Sequence, residues 1–216
     1  MFFELTDLLT CPTCGPKHGL VLLVQEVEDR RVRTGWLGCP NCRNDYPVND
    51  GVADLRLEAS ATPEVAARFI ETDDDELALK VLALLGLNER RAFVLVDERI
   101  AHVASALSEL APELEVIAVS STPVGPGNAG AVSRVLAERP FPLVEFKLPG
   151  VAIAPGGNPG LVAAAARRVA TGGRLALFDA TAEDIEEAKR SGLTILAVES
   201  GTAVAERKPD SLPIFS

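Results

Sequence analysis

Short apolar runs alternate with helix-patterned segments over the last 140 or so residues of the chain. Runs rich in Val, Leu, Ile and Ala predict buried strands at 92–96, 114–119, 143–148, 151–154, 174–178 and 194–199. Apolar positions at helical spacing predict helices at 76–87, 100–110, 129–138, 159–170 and 182–191. Strands without a polar face that are interleaved with helices indicate a doubly wound, mostly parallel α/β sheet.

The pattern in the first 58 residues predicts a small β-rich module instead. Residues 19–27 and 31–37 predict the two strands of a hairpin. Residues 46–48 predict a further short strand, and the Asn-Asp-Gly that follows it is a strong turn signal. We therefore expect a β-rich module in front of the α/β domain.

Two segments belong to neither pattern. Residues 59–75 contain a helix start at Thr62-Pro63 and an acidic run, which predicts a linker and the beginning of a helix. Residues 207–216 contain two prolines and predict an extended or disordered tail. The expected division is thus a module at 1–58, a linker at 59–75, an α/β domain at 76–206 and a tail.

Composition narrows the classes of function. Apolar residues make up 47% of the chain, yet no uncharged run reaches the roughly 18 residues that a membrane helix needs, so we expect a soluble protein. No basic region typical of a secretory signal follows Met1, and thiols at metal-like spacing favour a reducing cytoplasm. The net charge of −10 disfavours direct binding of nucleic acid.

All four cysteines lie in two Cys-x-x-Cys pairs. Cys11-Pro-Thr-Cys14 and Cys39-Pro-Asn-Cys42 are separated by 24 residues, the spacing of a four-thiolate zinc ribbon. Four thiolates leave no open position for water or substrate, so we expect one structural zinc per chain whose binding is coupled to folding. Disulfides, a thioredoxin-like redox pair and His18 as a substitute ligand are the alternatives.

The N-terminal module resembles a known family. The order Leu8-Leu9-x-Cys11-Pro-x-Cys14, then Cys39-Pro-x-Cys42, then Tyr46-Pro-Val-x-x-Gly51-Val52 is similar to the small zinc-ribbon proteins that activate tRNA, ribosomal RNA and release-factor methyltransferases. In that family the ribbon is not an enzyme. It covers apolar surface on a methyltransferase and can add a strand to its sheet. The resemblance implies a protein partner, either a methyltransferase or a translation-related enzyme.

The α/β domain resembles Rossmann-like S-adenosylmethionine-dependent methyltransferases in its helix, Gly172-Gly173 and strand segment. The resemblance implies a cofactor crevice at the carboxyl ends of the strands. Two features depart from it. The loop Asp97-Glu98-Arg99 after the first strand contains no glycine, and the second strand ends at a serine rather than at an acid for the ribose. The resemblance thus implies S-adenosylmethionine as a cofactor, and these two departures argue against its binding.

Five positions are candidates for cofactor contacts. Asp97 and Ser120 follow the first and second strands, and Gly156 lies in the loop after the fourth. Gly125 and Gly127 belong to a segment that fits the G-x-G-x-x-G fingerprint of dinucleotide sites, although five residues separate it from the preceding strand. No nucleophile and base are arranged as a catalytic triad requires, and we predict no catalytic residue.

Arg30, Arg31 and Arg33 form a local basic cluster, which is either a contact for RNA or an acidic partner or a solvated hairpin tip. The main hypothesis is a zinc-binding, non-catalytic scaffold or activator that acts through a protein partner in the methylation of RNA or translation factors. An active S-adenosylmethionine-dependent methyltransferase with its ribbon in cis is the first alternative, and a binder of another nucleotide is the second. The sequence is also compatible with the formation of a homo-oligomer.

Overall fold

The computed structural model describes residues 1–57, 75–87, 92–122, 131–137 and 141–209. Its strands are β1 (Val21–Glu28), β2 (Arg31–Gly38), β3 (Asp45–Asn49), β4 (Val52–Asp54), β5 (Phe93–Val96), β6 (Glu115–Ser120), β7 (Val132–Leu136), β8 (Leu148–Ile153), β9 (Val169–Leu177), β10 (Thr194–Glu199) and β11 (Thr202–Glu206). Its helices are α1 (Asp75–Leu85), α2 (Ala104–Leu110), α3 (Pro159–Ala166) and α4 (Ala182–Arg190), with 3-10 turns at Phe3–Asp7 and Ala101–Val103. None of the helices in these ranges has the length and apolarity to cross a membrane.

All of these strands belong to one continuous sheet, in the order β1-β2-β3-β4-β7-β6-β5-β8-β9-β11-β10. The strands from β4 to β9 in this order are parallel to their neighbours, and antiparallel pairs continue the sheet on both sides. Numbered from β5, the α/β domain has the order 3-2-1-4-5-7-6, with its seventh strand antiparallel. The predicted α/β, Rossmann-like, mostly parallel sheet preceded by a β-rich module is confirmed.

The central strands are buried on both faces because a helical layer covers each face. On β5, Val94 and Val96 pack towards α1 and α2, whereas Leu95 packs into the core that contains α3 and α4. The same alternation continues on β6, where Val116 joins the first core and Ile117 the second. This two-sided burial explains why the strand sequences lack a polar face.

The N-terminal module extends the parallel sheet through its fourth strand. β4 pairs with β7 in register, with Val52 opposite Arg134 and Asp54 opposite Leu136. The Leu55 amide continues the ladder with a 2.7 Å hydrogen bond to the Leu136 carbonyl. The edge of the α/β sheet at β7 is therefore covered by a strand from the same chain, which removes an exposed row of unpaired backbone groups.

The module also covers one face of the sheet. In the connection from β7 to β8, the described residues 141–147 form no helix, and the N-terminal segment lies there instead. The Thr10 amide donates to the Pro142 carbonyl at 2.9 Å, and the Val144 amide donates to the Leu8 carbonyl at 2.8 Å. Leu9 and Phe141 belong to the same buried core. The module and the domain therefore share a core.

One predicted helix is wrong. Residues 129–138 were expected to be helical, but the described part contains strand β7. Val132, Val135 and Leu136 have the i, i+3, i+4 spacing of a helix, and a short strand buried on both faces shows no period of its own. These residues form a strand because β7 pairs with β6 on one side and with β4 on the other.

Other boundaries also differ. The strand expected at 143–148 is wrong except for Leu148, because residues 143–147 form only an isolated bridge at Leu143. The strand expected at 151–154 is the second half of β8, and β11 was not predicted. Gly172 and Gly173 lie inside β9, where the pairing with β8 is irregular, rather than in a helix-to-strand turn. Arg207, assigned to the tail, donates hydrogen bonds to the Val169 and Ala166 carbonyls. The predicted linker at 59–75, apart from its last residue, and the tail from 210 onward lie outside the described residues.

A buried polar network joins the module to the α/β domain. Arg31 on β2 donates to both carboxylate oxygens of Glu115 on β6, at 3.0 and 2.7 Å. The Ser133 hydroxyl donates to the same carboxylate at 2.6 Å and accepts from the Phe2 amide at 2.8 Å. Glu115 is only 7% exposed. Removing the carboxylate would therefore leave a partly buried guanidinium without its partner.

We expect Glu115→Ala to lower the free energy of unfolding by about 3 kcal/mol because the Arg31 guanidinium loses its buried counter-ion. Glu28→Ala is the matched control, since its carboxylate pairs with Arg33 in a largely exposed position, and it should cost less than about 1 kcal/mol. Chemical denaturation followed by circular dichroism measures both. Equal losses in the two variants would show that the buried network adds nothing beyond a surface ion pair.

Candidate functional site

The four cysteine sulfurs converge in the N-terminal module and lie within 4.8 Å of one another. The Sγ–Sγ distance is 3.6 Å between Cys11 and Cys42 and 3.8 Å between Cys39 and Cys14. A tetrahedral ion with metal–sulfur bonds of about 2.3 Å requires sulfur separations of about 3.8 Å. A disulfide requires about 2.0 Å, and all four cysteines are free. The cluster therefore fits a closed, four-thiolate metal site.

Two matching turns position these sulfurs. The Gly15 amide donates to the Cys11 carbonyl at 2.9 Å, and the Arg43 amide donates to the Cys39 carbonyl at 2.9 Å. Gly15 and Arg43 both have positive φ, at 83° and 63°, so each Cys-x-x-Cys pair closes with a residue in the left-handed region. His18 is not part of the sulfur cluster, and its carbonyl accepts from the Cys11 amide at 2.8 Å.

Two polar side chains that the sequence interpretation missed support the sulfurs. The Tyr46 hydroxyl lies 3.5 Å from the Cys11 sulfur and 3.1 Å from the Thr13 hydroxyl. The Asn41 amide donates to the Cys14 sulfur at 3.2 Å. Donors of this kind orient metal ligands and stabilise thiolates. The available signal was the Tyr-Pro-Val motif, because pairing of β3 with β2 places Tyr46 opposite Leu37, two residues before Cys39.

The protein environment changes the acidity of two thiols in opposite directions. Burial raises the pKa of Cys11, but hydrogen bonds from the Tyr46 hydroxyl and the Cys14 backbone outweigh it and lower that pKa to about 6. A hydrogen bond from the Asn44 backbone lowers the pKa of Cys42, whereas burial and the three neighbouring thiols raise it to about 12. A metal ion that binds all four sulfurs must displace their protons.

Cys11→Ser should weaken metal binding by more than about 100-fold, because loss of a ligand costs more than the 10- to 100-fold loss typical of ligand-supporting residues. The variant should also melt at a lower temperature, since metal binding contributes to folding. Thr13→Ser, within the same turn, keeps the hydroxyl near Tyr46 and should retain about one metal per chain. Elemental analysis and thermal melts measure both. Wild-type metal content and melting in Cys11→Ser would exclude a four-thiolate site.

The crevice outside β5 contains side chains of the protein itself. Asp97 is fully buried, and its carboxylate accepts from the Ala154 amide at 3.3 Å. It thereby connects the end of β5 to the end of β8. A carboxylate used in this way stabilises the protein's own loops rather than facing open solvent.

The loops after β5 and β6 are bonded to each other. The Glu98 carboxylate accepts from the Ser121 amide at 3.3 Å and from the Ser121 hydroxyl at 2.9 Å. Ser120 is 6% exposed, and its hydroxyl donates to the Thr122 carbonyl within its own loop. The acidic group at this crevice therefore lies on the loop after β5 and binds protein, whereas a ribose-binding acid would follow the second strand.

Arg99 lies against the loop after β8. Gly156 has a φ of 59°, and a side chain at this position would collide with the Arg99 guanidinium. Of the five predicted cofactor contacts, the structure therefore brings Asp97 and Gly156 to neighbouring loops and places Ser120 next to Ser121, which donates to Glu98. Gly125 and Gly127 lie outside the described residues.

Each arginine of the predicted basic cluster has an acidic partner. Arg30 pairs with Glu4, Arg31 with Glu115 and Arg33 with Glu28. The guanidinium groups of Arg30 and Arg31 also lie 5.4 Å from the centre of the Phe2 ring. The cluster therefore presents less free positive charge than its sequence suggests.

No protein-family model matches the chain, and no match was found among curated proteins. Several solved structures are similar in fold. They include a precorrin-6y C5,15-methyltransferase from Geobacter metallireducens, with 18% identity over 62% of this chain and 88% of that one and a TM-score of 0.48. A TehB-like SAM-dependent methyltransferase from Corynebacterium glutamicum has 14% identity over 62% and 87% of the two chains, with a TM-score of 0.47.

A third similar structure is the 1,6-didemethyltoxoflavin-N1-methyltransferase of Burkholderia thailandensis, solved with its ligand and S-adenosylhomocysteine. It has 14% identity over 62% of this chain and 77% of that one, with a TM-score of 0.45. The strand order and connectivity described above are the basis for assigning the fold. The similarity to these structures gives no information about the activity of this protein.

Proposed function

We propose that this protein is a cytoplasmic, zinc-stabilised and non-catalytic scaffold or activator that acts through a protein partner in the methylation of RNA or of translation factors. The observation that carries this proposal is the pair of internal contacts that Glu98 and Arg99 make with the loops after β6 and β8. Its methyltransferase-like domain then serves as a folded platform rather than as an enzyme.

Zinc is the proposed metal because of the donor set. Four thiolates in a tetrahedral arrangement are typical of zinc or of iron–sulfur centres, and the sulfur separations of 3.6 and 3.8 Å suit zinc–sulfur bonds of about 2.3 Å. Such a site is closed to water and substrate. Its contribution is therefore to the stability of the module and, through β4, to the sheet that the module extends.

The way in which the ribbon packs on the methyltransferase-like domain supports a scaffold, because the two are already paired within one chain. The resemblance of the ribbon implied that it can add a strand to a methyltransferase sheet, and here β4 adds to β7 within one chain. A further protein must therefore bind elsewhere. Among the described residues, exposed apolar side chains concentrate on the two outer strands, including Leu23 on β1 and Val198 on β10, and these edges can accept a partner.

The crevice supports the absence of cofactor binding. A nucleoside cofactor needs close approach to the backbone after the first strand, which glycine permits and longer side chains obstruct. The Glu98 carboxylate is already bonded to Ser121, and Arg99 is already packed on Gly156. S-adenosylmethionine would have to break these contacts and move both side chains before it could bind.

Calorimetric titration of the zinc-loaded full chain with S-adenosylmethionine and S-adenosylhomocysteine tests this proposal. We expect no saturable heat up to about 1 mM ligand, equivalent to less than about 4 kcal/mol of binding free energy. The protein must be folded by circular dichroism and carry about one zinc per chain. Saturable binding in the micromolar range would contradict the proposal and favour an active methyltransferase with its ribbon in cis.

A further inference from the structure

A cavity of about 570 Å³ lies at the carboxyl ends of β5, β8 and β9. Lys80 of α1 lines one side, Arg99 and His102 line the β5 side, and Asp179 follows β9. The β10–β11 turn contributes Ser200 and Thr202 to its wall. This edge is where parallel α/β sheets bind ligands, and the volume is in the range of small-molecule sites. The cavity is separate from the sulfur cluster.

Two basic side chains of the cavity, Lys80 and Arg99, have no acidic partner within the described parts of the chain. The Lys80 ammonium donates to the Thr202 hydroxyl at 2.9 Å and lies 5.7 Å from the centre of the Phe178 ring. Both of these contacts are with neutral groups. Arg99 packs on the backbone of Gly156 and forms no described ion pair. In a chain with 31 acidic and 21 basic side chains, this local excess of positive charge favours an anionic ligand.

The carboxylate on the cavity wall leaves both cations available. Asp179 has a φ of 50° and forms no ion pair with Lys80 or Arg99 in the described structure. The Lys80 ammonium is a compact charge with three donors, whereas the Arg99 guanidinium is a planar fork suited to two oxygens of one anion. Together with the Ser200 hydroxyl, these side chains supply the kinds of donor that phosphate oxygens accept.

We propose that this cavity binds the phosphate group of a small phosphorylated ligand, with Lys80 and Arg99 as its cationic contacts and Ser200 as a hydroxyl donor. The remaining volume accommodates the rest of the ligand beside His102. The site needs no S-adenosylmethionine, and Arg99 is the residue that it shares with the crevice described above.

The test is calorimetric titration of the metal-loaded full chain with inorganic phosphate at constant ionic strength. We expect saturable binding with a dissociation constant on the order of 1 mM or tighter. Lys80→Gln and Arg99→Gln should each weaken binding by at least about 10-fold, because each removes a charge-assisted contact. Both side chains are exposed, so circular dichroism should show folded variants.

Two further variants distinguish binding of phosphate at a defined site from its non-specific attraction to positive charge on the protein. Asp179→Asn should strengthen phosphate binding by about 3-fold, because it removes a repelling charge while asparagine tolerates the positive φ. Lys189→Gln removes an exposed lysine of α4 that pairs with Glu186 and should leave binding unchanged. Equal weakening in Lys189→Gln, or no strengthening in Asp179→Asn, would contradict the proposed site.

Adenosine 5′-monophosphate and adenosine distinguish a phosphorylated ligand from a nucleoside site. Binding of the monophosphate at least as tight as that of inorganic phosphate, with none for adenosine, supports the proposal. Adenosine binding that is unaffected by Arg99→Gln, or no saturable heat with phosphate up to about 50 mM, would overturn it. A failure here leaves the titration with S-adenosylmethionine unaffected, so the two ideas can fail separately.

Discussion

Pairing of β4 with β7 is the interaction on which the rest of this structure depends. A segment of under 60 residues buries only a limited part of its surface when it folds alone, and an uncovered β7 would leave a row of backbone donors and acceptors unpaired. The hydrogen-bonded ladder from Val52 to Leu55 pairs the backbone groups of β7 and brings the module's apolar side against the sheet. A metal bound by the sulfur cluster would hold together the two Cys-x-x-Cys turns of this module, and the module reaches the sheet through β4.

Internal contacts also connect the loops at the carboxyl edge of the sheet. Asp97 joins β5 to β8, and Glu98 joins the loops after β5 and β6. These contacts lie at the edge where parallel α/β sheets bind ligands, and they are made within the protein. The cavity beside β9 differs, since the contacts of Lys80 and Arg99 within the described residues are with neutral groups. The carboxyl edge therefore combines internal contacts beside β6 with an open cavity beside β9.

The sequence predicts those features whose physical cause is local. The two Cys-x-x-Cys pairs specify a thiolate cluster through spacing alone, and the apolar runs specify the central strands. Features decided by long-range packing were missed. Val132, Val135 and Leu136 have helical spacing but pair between two strands, and β11 is short and returns after a Ser200-Gly201 turn. The role of Tyr46 depends on strand register, which one sequence does not reveal.

Hydrogen exchange before and after removal of the metal by a chelator tests the dependence of the sheet on the ribbon most directly. Amides of β7 lie far from the sulfurs in sequence but pair with β4 in space. If the metal-held module protects this edge, chelation should raise exchange in β4 and β7 together by at least about 10-fold, while β8 stays protected. Unchanged protection of β7 in metal-free protein would contradict the account, because the sheet edge would then be stable without the ribbon.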